Sequence, residues 1–396
     1  MALLTPTESG DRQVPPRRLA PLALGFRPFY ALAAAFAAAA IPLWLLVLAG
    51  AVMTPIPAIW WHAHEMLFGF VAAVIVGFLF TAGRNWTGLE TPTGGWLAAL
   101  ALLWLAGRAM MILAGGVATA VVDTLFLPAA AVALARVLWR ARSRRNYFVV
   151  AMLAVLALSN LAFHLSRLGV LAADVLTSLH LALAVIVVLE TTIGGRVVPS
   201  FTASAIRGVA QWQRPWLNRA AIGATAVALL AWVFHPGTPS TALLCLAAAL
   251  LQLVRSLGWN PWATRRVPLL WILHLAHLWL PVGLALIALG QCGGVAASAG
   301  VHALTIGATG GLIIGMITRT ALGHTGRALI AGRIETSAYL LVQMAAVARV
   351  VTLAAMPSLA MLGVHVAGAA WSAAFALYLW RYLPFLLRPR ADGQPG

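Results

Sequence analysis

Residues 60–82 read WWHAHEMLFGFVAAVIVGFLFTA, and beyond Met66 every side chain is apolar or small. About 20 such residues suffice for a helix to cross a hydrocarbon core of about 30 Å. The same kind of run recurs along the whole chain. Between clusters of Pro, Gly and Arg, further spans are expected near 29–50, 96–115, 118–140, 147–168 and 173–194 in the first half. The second half supplies 217–234, 239–257, 267–290, 295–317, 336–354 and 359–383. The expected fold is therefore an all-α, polytopic membrane helix bundle of about twelve transmembrane helices.

Composition agrees. The 396 residues are 62% hydrophobic and 9% charged, against about 25% charged in soluble domains. A soluble chain of this size could not hide so much apolar surface. All 26 basic residues are arginine, and nine acids leave a formal charge of +17. In a soluble protein that balance would suggest nucleic acid. Here the arginines divide by side. Only Arg108, Arg167 and Arg349 fall on the side of the loops after odd-numbered spans. An arginine excess marks the cytoplasmic side, so both termini are expected to be cytoplasmic, and no soluble basic domain remains for nucleic acid. The expected organisation is a cytoplasmic N-terminal segment, 1–28, a twelve-helix transmembrane domain, 29–385, and a cytoplasmic tail, 386–396. The polar, basic first 28 residues precede a run of spanning length, which is expected to stay as the first helix. No internal repeat is visible, and the longest loop is expected at 195–216.

Cys245 and Cys292 form neither CxxC nor CxxCH, which argues against covalent c-type haem and a disulfide framework. Both thiols read as packing residues. The ten histidines carry more information, because ionisable groups within spans usually face the bundle interior. His62 and His64 open the second span. Two residues apart on an ideal helix they point about 200° from each other, so they do not face one metal unless the helix begins between them. Trp60 and Trp61 beside them also suit an interfacial belt. His164 follows Asn160 by four residues, so the two share a face, as a ligand with an orienting amide or an interhelical hydrogen-bonding pair. His274 and His277, three apart on the ninth span, can ligate one metal or simply pack. His62, His64, His164, His180 and His302 all belong to the outer half, with His365 in a close-packing Gly363/Gly368 setting and His235 in a loop. Imidazole suits iron, copper and zinc. Arg108, Arg167 and Arg349 lie in the same half and could pair with haem propionates, or with Glu65, Asp123 and Asp174. Glu190 is close enough to the inner side to snorkel or to pair with Arg196. Gly323-His324-Thr325-Gly326-Arg327 lacks the P-loop spacing and reads as a structured turn between the tenth and eleventh spans.

Several stretches resemble the NnrS family of haem- and copper-containing bacterial membrane proteins. They are Gly25-Phe26-Arg27-Pro28-Phe29, Trp61-His62-Ala63-His64-Glu65-Met66 with Phe68-Gly69-Phe70, and Asn85-Trp86-Thr87-Gly88. Gly194-Gly195-Arg196, Pro199-Ser200-Phe201-Thr202, His302-Ala303-Leu304-Thr305 and Leu322-Gly323-His324-Thr325-Gly326-Arg327 follow in order. The resemblance implies twelve helices in the bacterial inner membrane, haem and copper as cofactors, and a role in nitric-oxide metabolism or resistance to nitrosative stress, as in denitrification. On that reading His64 and His302 are the expected haem ligands, with Arg108, Arg167 and Arg349 on the propionates. His62, His164 and His274 are expected to hold copper or a second haem. His324 also matches the pattern, whereas His277 stands where an aromatic residue is usual. The partners are then nitric oxide or a metal–nitrosyl species and membrane lipid, with no redox partner assigned. The haem-copper oxidases also carry haem histidines on helices two and ten, but the tenth span here has no His-x-His, and no adjacent His-His pair occurs. Two other readings stay open: a proton-coupled small-molecule transporter, against which the absence of a repeat counts, and a haem or copper delivery factor.

Overall fold

The computed structural model describes residues 19–394. The expected cytoplasmic placement of Arg12, Arg17 and Arg18 therefore concerns residues outside the described ones. Among the described residues there is no strand, and twelve helices are long and apolar enough to span a membrane. In order they are α1 (Phe26–Leu48), α2 (Ala58–Thr87), α3 (Gly94–Leu113), α4 (Val117–Arg140), α5 (Arg144–Arg167) and α6 (Val175–Ala205). The second half contains α7 (Pro215–Phe234), α8 (Pro239–Leu257), α9 (Pro268–Gln291), α10 (Ala297–His324), α11 (Arg333–Ala354) and α12 (Pro357–Leu387).

Local chemistry sets the ends. Pro215, Pro239, Pro268 and Pro357 occupy first-turn positions, where the missing N–H costs nothing. The Asp174 carboxylate accepts from the Leu176 N–H at the start of α6, and Gly88, at φ +69°, closes α2. Several helices run further than the apolar run alone: α6 passes through Pro199 to Ala205, and α10 reaches His324. The long loop expected at 195–216 thus shrinks to the residues after Ala205. A proline is tolerated inside such a helix because neighbouring groups can satisfy the carbonyl freed four residues earlier; the Gln211 amide, donating to the Pro199 carbonyl at 3.1 Å, ties the end of α6 to the loop that follows.

Successive helices pack side by side, and α12 closes against α1. The most enclosed spans are α2 and α10, with 83% and 72% of their central windows buried, against 33–44% for most of the peripheral helices. Of the histidines on these two helices His64 is fully buried, while His62, His302 and His324 are half-buried. Both central helices also open into wide π turns directly after a histidine, at Glu65–Val71 and at Ala303–Gly310.

The two ends of the bundle differ. At one end the Ala20 N–H donates to the Leu387 carbonyl, Gly94 to Leu22, and Ala391 to Thr325. The arginine-rich segments meet there. The Gly323–Arg327 turn, expected to fix α10 against α11, also ties α10 to the chain's C-terminal stretch, with Arg327 stacked 3.8 Å over Phe385. Arg390 donates both to the His324 carbonyl and to Asp392, whose carboxyl it holds down at about 2. At the opposite, arginine-poor end, Arg167 donates to the Gly115 carbonyl.

Candidate metal centre

The two histidines that open α2 part company. His62 stacks on Trp44 of α1, with ring centroids 4.2 Å apart, and lines a cavity of about 390 Å³. His64 is fully buried on another face. The angular separation of residues two apart on a helix accounts for this, and the π turn that begins at Glu65 leaves both orientations intact.

The cavity lies between α1, α2, α6, α7, α10, α11 and α12. His302 and His180 share its wall with His62 and Arg349, and the rest is mostly aliphatic and aromatic, including Trp232 and Trp371. His302 Nδ1 donates to the Ser298 carbonyl one turn earlier, at 2.8 Å. That bond fixes the neutral tautomer and leaves Nε2 as an electron-pair donor, the usual second-sphere arrangement behind a metal-bound imidazole. His62 Nδ1 is buried without a hydrogen-bond partner, a position that costs free energy unless something pairs with it. His180 packs against Trp232, with centroids at 4.3 Å. Among the described residues Arg349 has one long bond, 3.4 Å, to the Ala360 carbonyl.

His64 belongs to a second group, built from α2, α3, α4 and α5. Its Nδ1 lies 2.9 Å from Glu65 Oε1, and its Nε2 faces Asn160 Oδ1 at 2.9 Å and Asp123 Oδ2 at 3.2 Å. His164 Nε2 approaches the same Asp123 oxygen at 2.9 Å. The Asn160 amide donates to Asp123 Oδ2, also at 2.9 Å, which turns its carbonyl oxygen toward His64. With Nδ1–H donated to Glu65, the lone pair at His64 Nε2 confronts two acceptor oxygens. Convergent lone pairs call for a cation, either a second proton on the imidazole or a metal ion. One ligand atom each from His64, Asp123 and His164 all lie within 4.8 Å of one another. Two imidazoles and a carboxylate form a donor set suited to copper, iron or zinc.

Arg108 closes this group, pairing in a buried position with both Glu65 and Asp123. Two carboxylates in a dry interior are sustained only by such compensation; removing one partner of a buried pair typically costs about 3–5 kcal/mol. The structure thus gives Arg108 carboxylates and gives Arg167 the Gly115 carbonyl, with the His164 ring 3.4 Å away. Of the three arginines expected on propionates, Arg349 is the one on the cavity wall.

The structure therefore does not bring His64 and His302 to one place: His302 joins His62, and His64 joins His164. Of the two readings of Asn160, orienting amide for His164 or interhelical hydrogen-bonding group, the second holds: it faces His64 on α2 and donates to Asp123 on α4. His274 and His277 form neither group. The His274 ring bonds Thr202 Oγ1, and His277 Nδ1 bonds Ser256 Oγ, each at 2.8 Å. Glu190 does not pair with Arg196, which lies over the Phe148 ring instead; Glu190 Oε2 is buried without a partner.

A family model described as NnrS protein matches residues 20–390. The chain belongs to the NnrS family. No curated protein sequence matches the chain at a significant level. The stretches by which the sequence resembles other NnrS proteins fall at separate places in the bundle. Trp61–Met66 and His302–Thr305 contribute to the two histidine groups. Gly195 has a different cause: a Cβ there would collide with the Arg255 guanidinium. That buried guanidinium is satisfied by Thr191, Gln252 and Asn218, so this part of the NnrS pattern is a packing requirement. The residue that sequence reasoning undervalued is Asp123. The sequence offers it as an arginine partner, and nothing in its neighbourhood along the chain announces that two histidines from other helices converge on it.

Proposed function

We propose that this NnrS-family chain is a haem- and copper-binding protein of the bacterial inner membrane, with both termini cytoplasmic, that acts in the nitric-oxide response by binding NO or a metal–nitrosyl species. The observation that carries this reading is the pairing of His62 and His302 on one apolar cavity. One imidazole has a buried nitrogen without a partner, and the other has its far nitrogen pinned by a carbonyl. Two such groups from different helices suit haem iron, and Arg349 on the same wall suits a propionate. The His64–Asp123–His164 set suits copper. Bound there, ferrous haem and copper would supply the coordination chemistry that captures NO, and a site inside the bilayer receives that apolar gas directly from lipid.

The protein's own residues divide the labour. His302 is held in one tautomer by Ser298, and His62 is held flat by Trp44. Trp232, Trp371 and the aliphatic walls give the cavity a largely apolar lining, while Glu65 and Arg108 fix the position of His64 and the charge of Asp123. The test is the absorption spectrum of detergent-purified protein, oxidised and then dithionite-reduced, with metal analysis of the same sample. We expect a reduced haem band with bound iron and copper. His62→Ala and His302→Ala should each abolish or shift the band, and His164→Ala should lower copper while leaving the band. Colourless, metal-free protein from haem-replete cells would sink the proposal.

A further inference from the structure

A second cavity, of about 570 Å³, opens at the arginine-rich end between α2, α5, α6 and α10. Arg145, Arg196, Arg319 and His324 line it together with Asn85 and Trp86, and among the described residues no carboxylate does. None of the three arginines makes an ion pair among the described residues; the arginines that do so are Arg108, Arg381 and Arg390. Two of the three are held by aromatic faces. The Arg319 guanidinium lies 3.9 Å above the Phe201 ring, and Arg196 lies 5.3 Å from that of Phe148. Stacking holds the guanidinium plane while leaving its edge N–H donors free.

Arginines on this side of a membrane protein are expected from topology alone. Arg319 departs from that pattern. It sits five residues before the end of α10, within the span, and is half-buried at the cavity. A partly desolvated cation with no counter-ion is costly unless an anion joins it. Three guanidinium forks present more donors than the two oxygens of a carboxylate accept, whereas a phosphate-type group offers an oxygen for each. Basic pockets between spans are also where anionic headgroups bind.

We propose that this cavity is a binding site for a phosphate-type oxyanion, with Arg145, Arg196 and Arg319 taking its oxygens. The oxyanion is the headgroup of an anionic phospholipid of the adjacent leaflet or a free anion from the adjoining water. Full-length protein in phosphatidylcholine nanodiscs is titrated calorimetrically with inorganic phosphate at constant ionic strength. In parallel, protein from discs containing phosphatidylglycerol is examined for retained lipid by native mass spectrometry. The wild type binds one phosphate-bearing molecule. Arg196→Gln and Arg319→Gln each weaken this about tenfold, and Arg214→Gln, an arginine stacked on Trp212 away from the cavity, leaves it unchanged. Binding of inorganic phosphate identifies a soluble-anion site; retention of phosphatidylglycerol alone identifies a headgroup site. Binding of neither overturns the proposal, as does equal weakening by Arg214→Gln. Should the cavity variants fail to fold, chloride displacing the ligand from wild-type protein as well as phosphate does overturns it equally.

Discussion

Arg108 and Arg349 lie in the same half of the molecule, yet their surroundings give them different work. Arg108 is enclosed and compensates two carboxylates, so Arg108→Gln leaves Glu65 and Asp123 buried and unneutralised. A loss of about 3–5 kcal/mol is expected, read as a lowered midpoint in denaturant. Arg349 lines the cavity with one long bond to a carbonyl, and losing a single neutral bond costs about 0.5–1.5 kcal/mol. Arg349→Gln should therefore stay folded while losing haem on dilution or washing. Equal destabilisation by the two substitutions, with haem retained in the folded Arg349→Gln protein, would show that neither arginine serves a propionate. At this scale the sequence had much to say: it named every histidine in both groups, and it named both readings of Arg108. It left the choice between them open because a guanidinium's partner lies on other helices, at separations of 15 and 43 residues.

The two π turns are the elements through which α2 and α10 serve the site. Each begins one residue after a histidine, and π turns recur at functional positions because they interrupt the regular ladder. The turn in α2 leaves the Gly69 carbonyl to accept from Trp104 at 3.0 Å. The turn in α10 is packed against tryptophans, and a Cβ at Gly310 would come within 2.5 Å of the Trp371 ring. Trp371 is itself a wall of the histidine cavity and donates to the Ala37 carbonyl. Gly310→Ala should accordingly cost about 1–3 kcal/mol by overpacking and change the spectrum of bound haem. Gly223→Ala on α7, where nothing lies within 4 Å, should be neutral or stabilising by up to about 1 kcal/mol. A Gly310→Ala protein with wild-type melting temperature and spectrum would mean that the packing around the π turn is not coupled to the cavity. Hydrophobic runs located these helices but gave no sign of the turns, because run length does not distinguish a wide turn from a regular one.

For the whole molecule the outstanding property is direction. One end gathers the N-terminal stretch, the α2–α3 and α10–α11 loops and the C-terminal stretch, along with most of the arginines. A fluorescent protein fused to the C-terminus should therefore be bright, and a phosphatase fused at the same point inactive. The same phosphatase placed after Gly293, in the arginine-poor loop between α9 and α10, should be active. The reverse pattern would place the histidine cavity in the cytoplasmic half and remove the basis for an outward-facing site.

The sequence by itself determined that this chain lives in lipid, how many times it crosses and which residues are costly to bury there. Those properties follow from local composition and from the length needed to span a hydrocarbon core. Tertiary structure alone decided which histidines meet. The angular offset of His62 and His64 was calculable, but which neighbouring helix each would face was not. Helix order around the bundle is set by side-chain packing between distant segments, and that order joined His62 to His302 and brought His64 and His164 to Asp123.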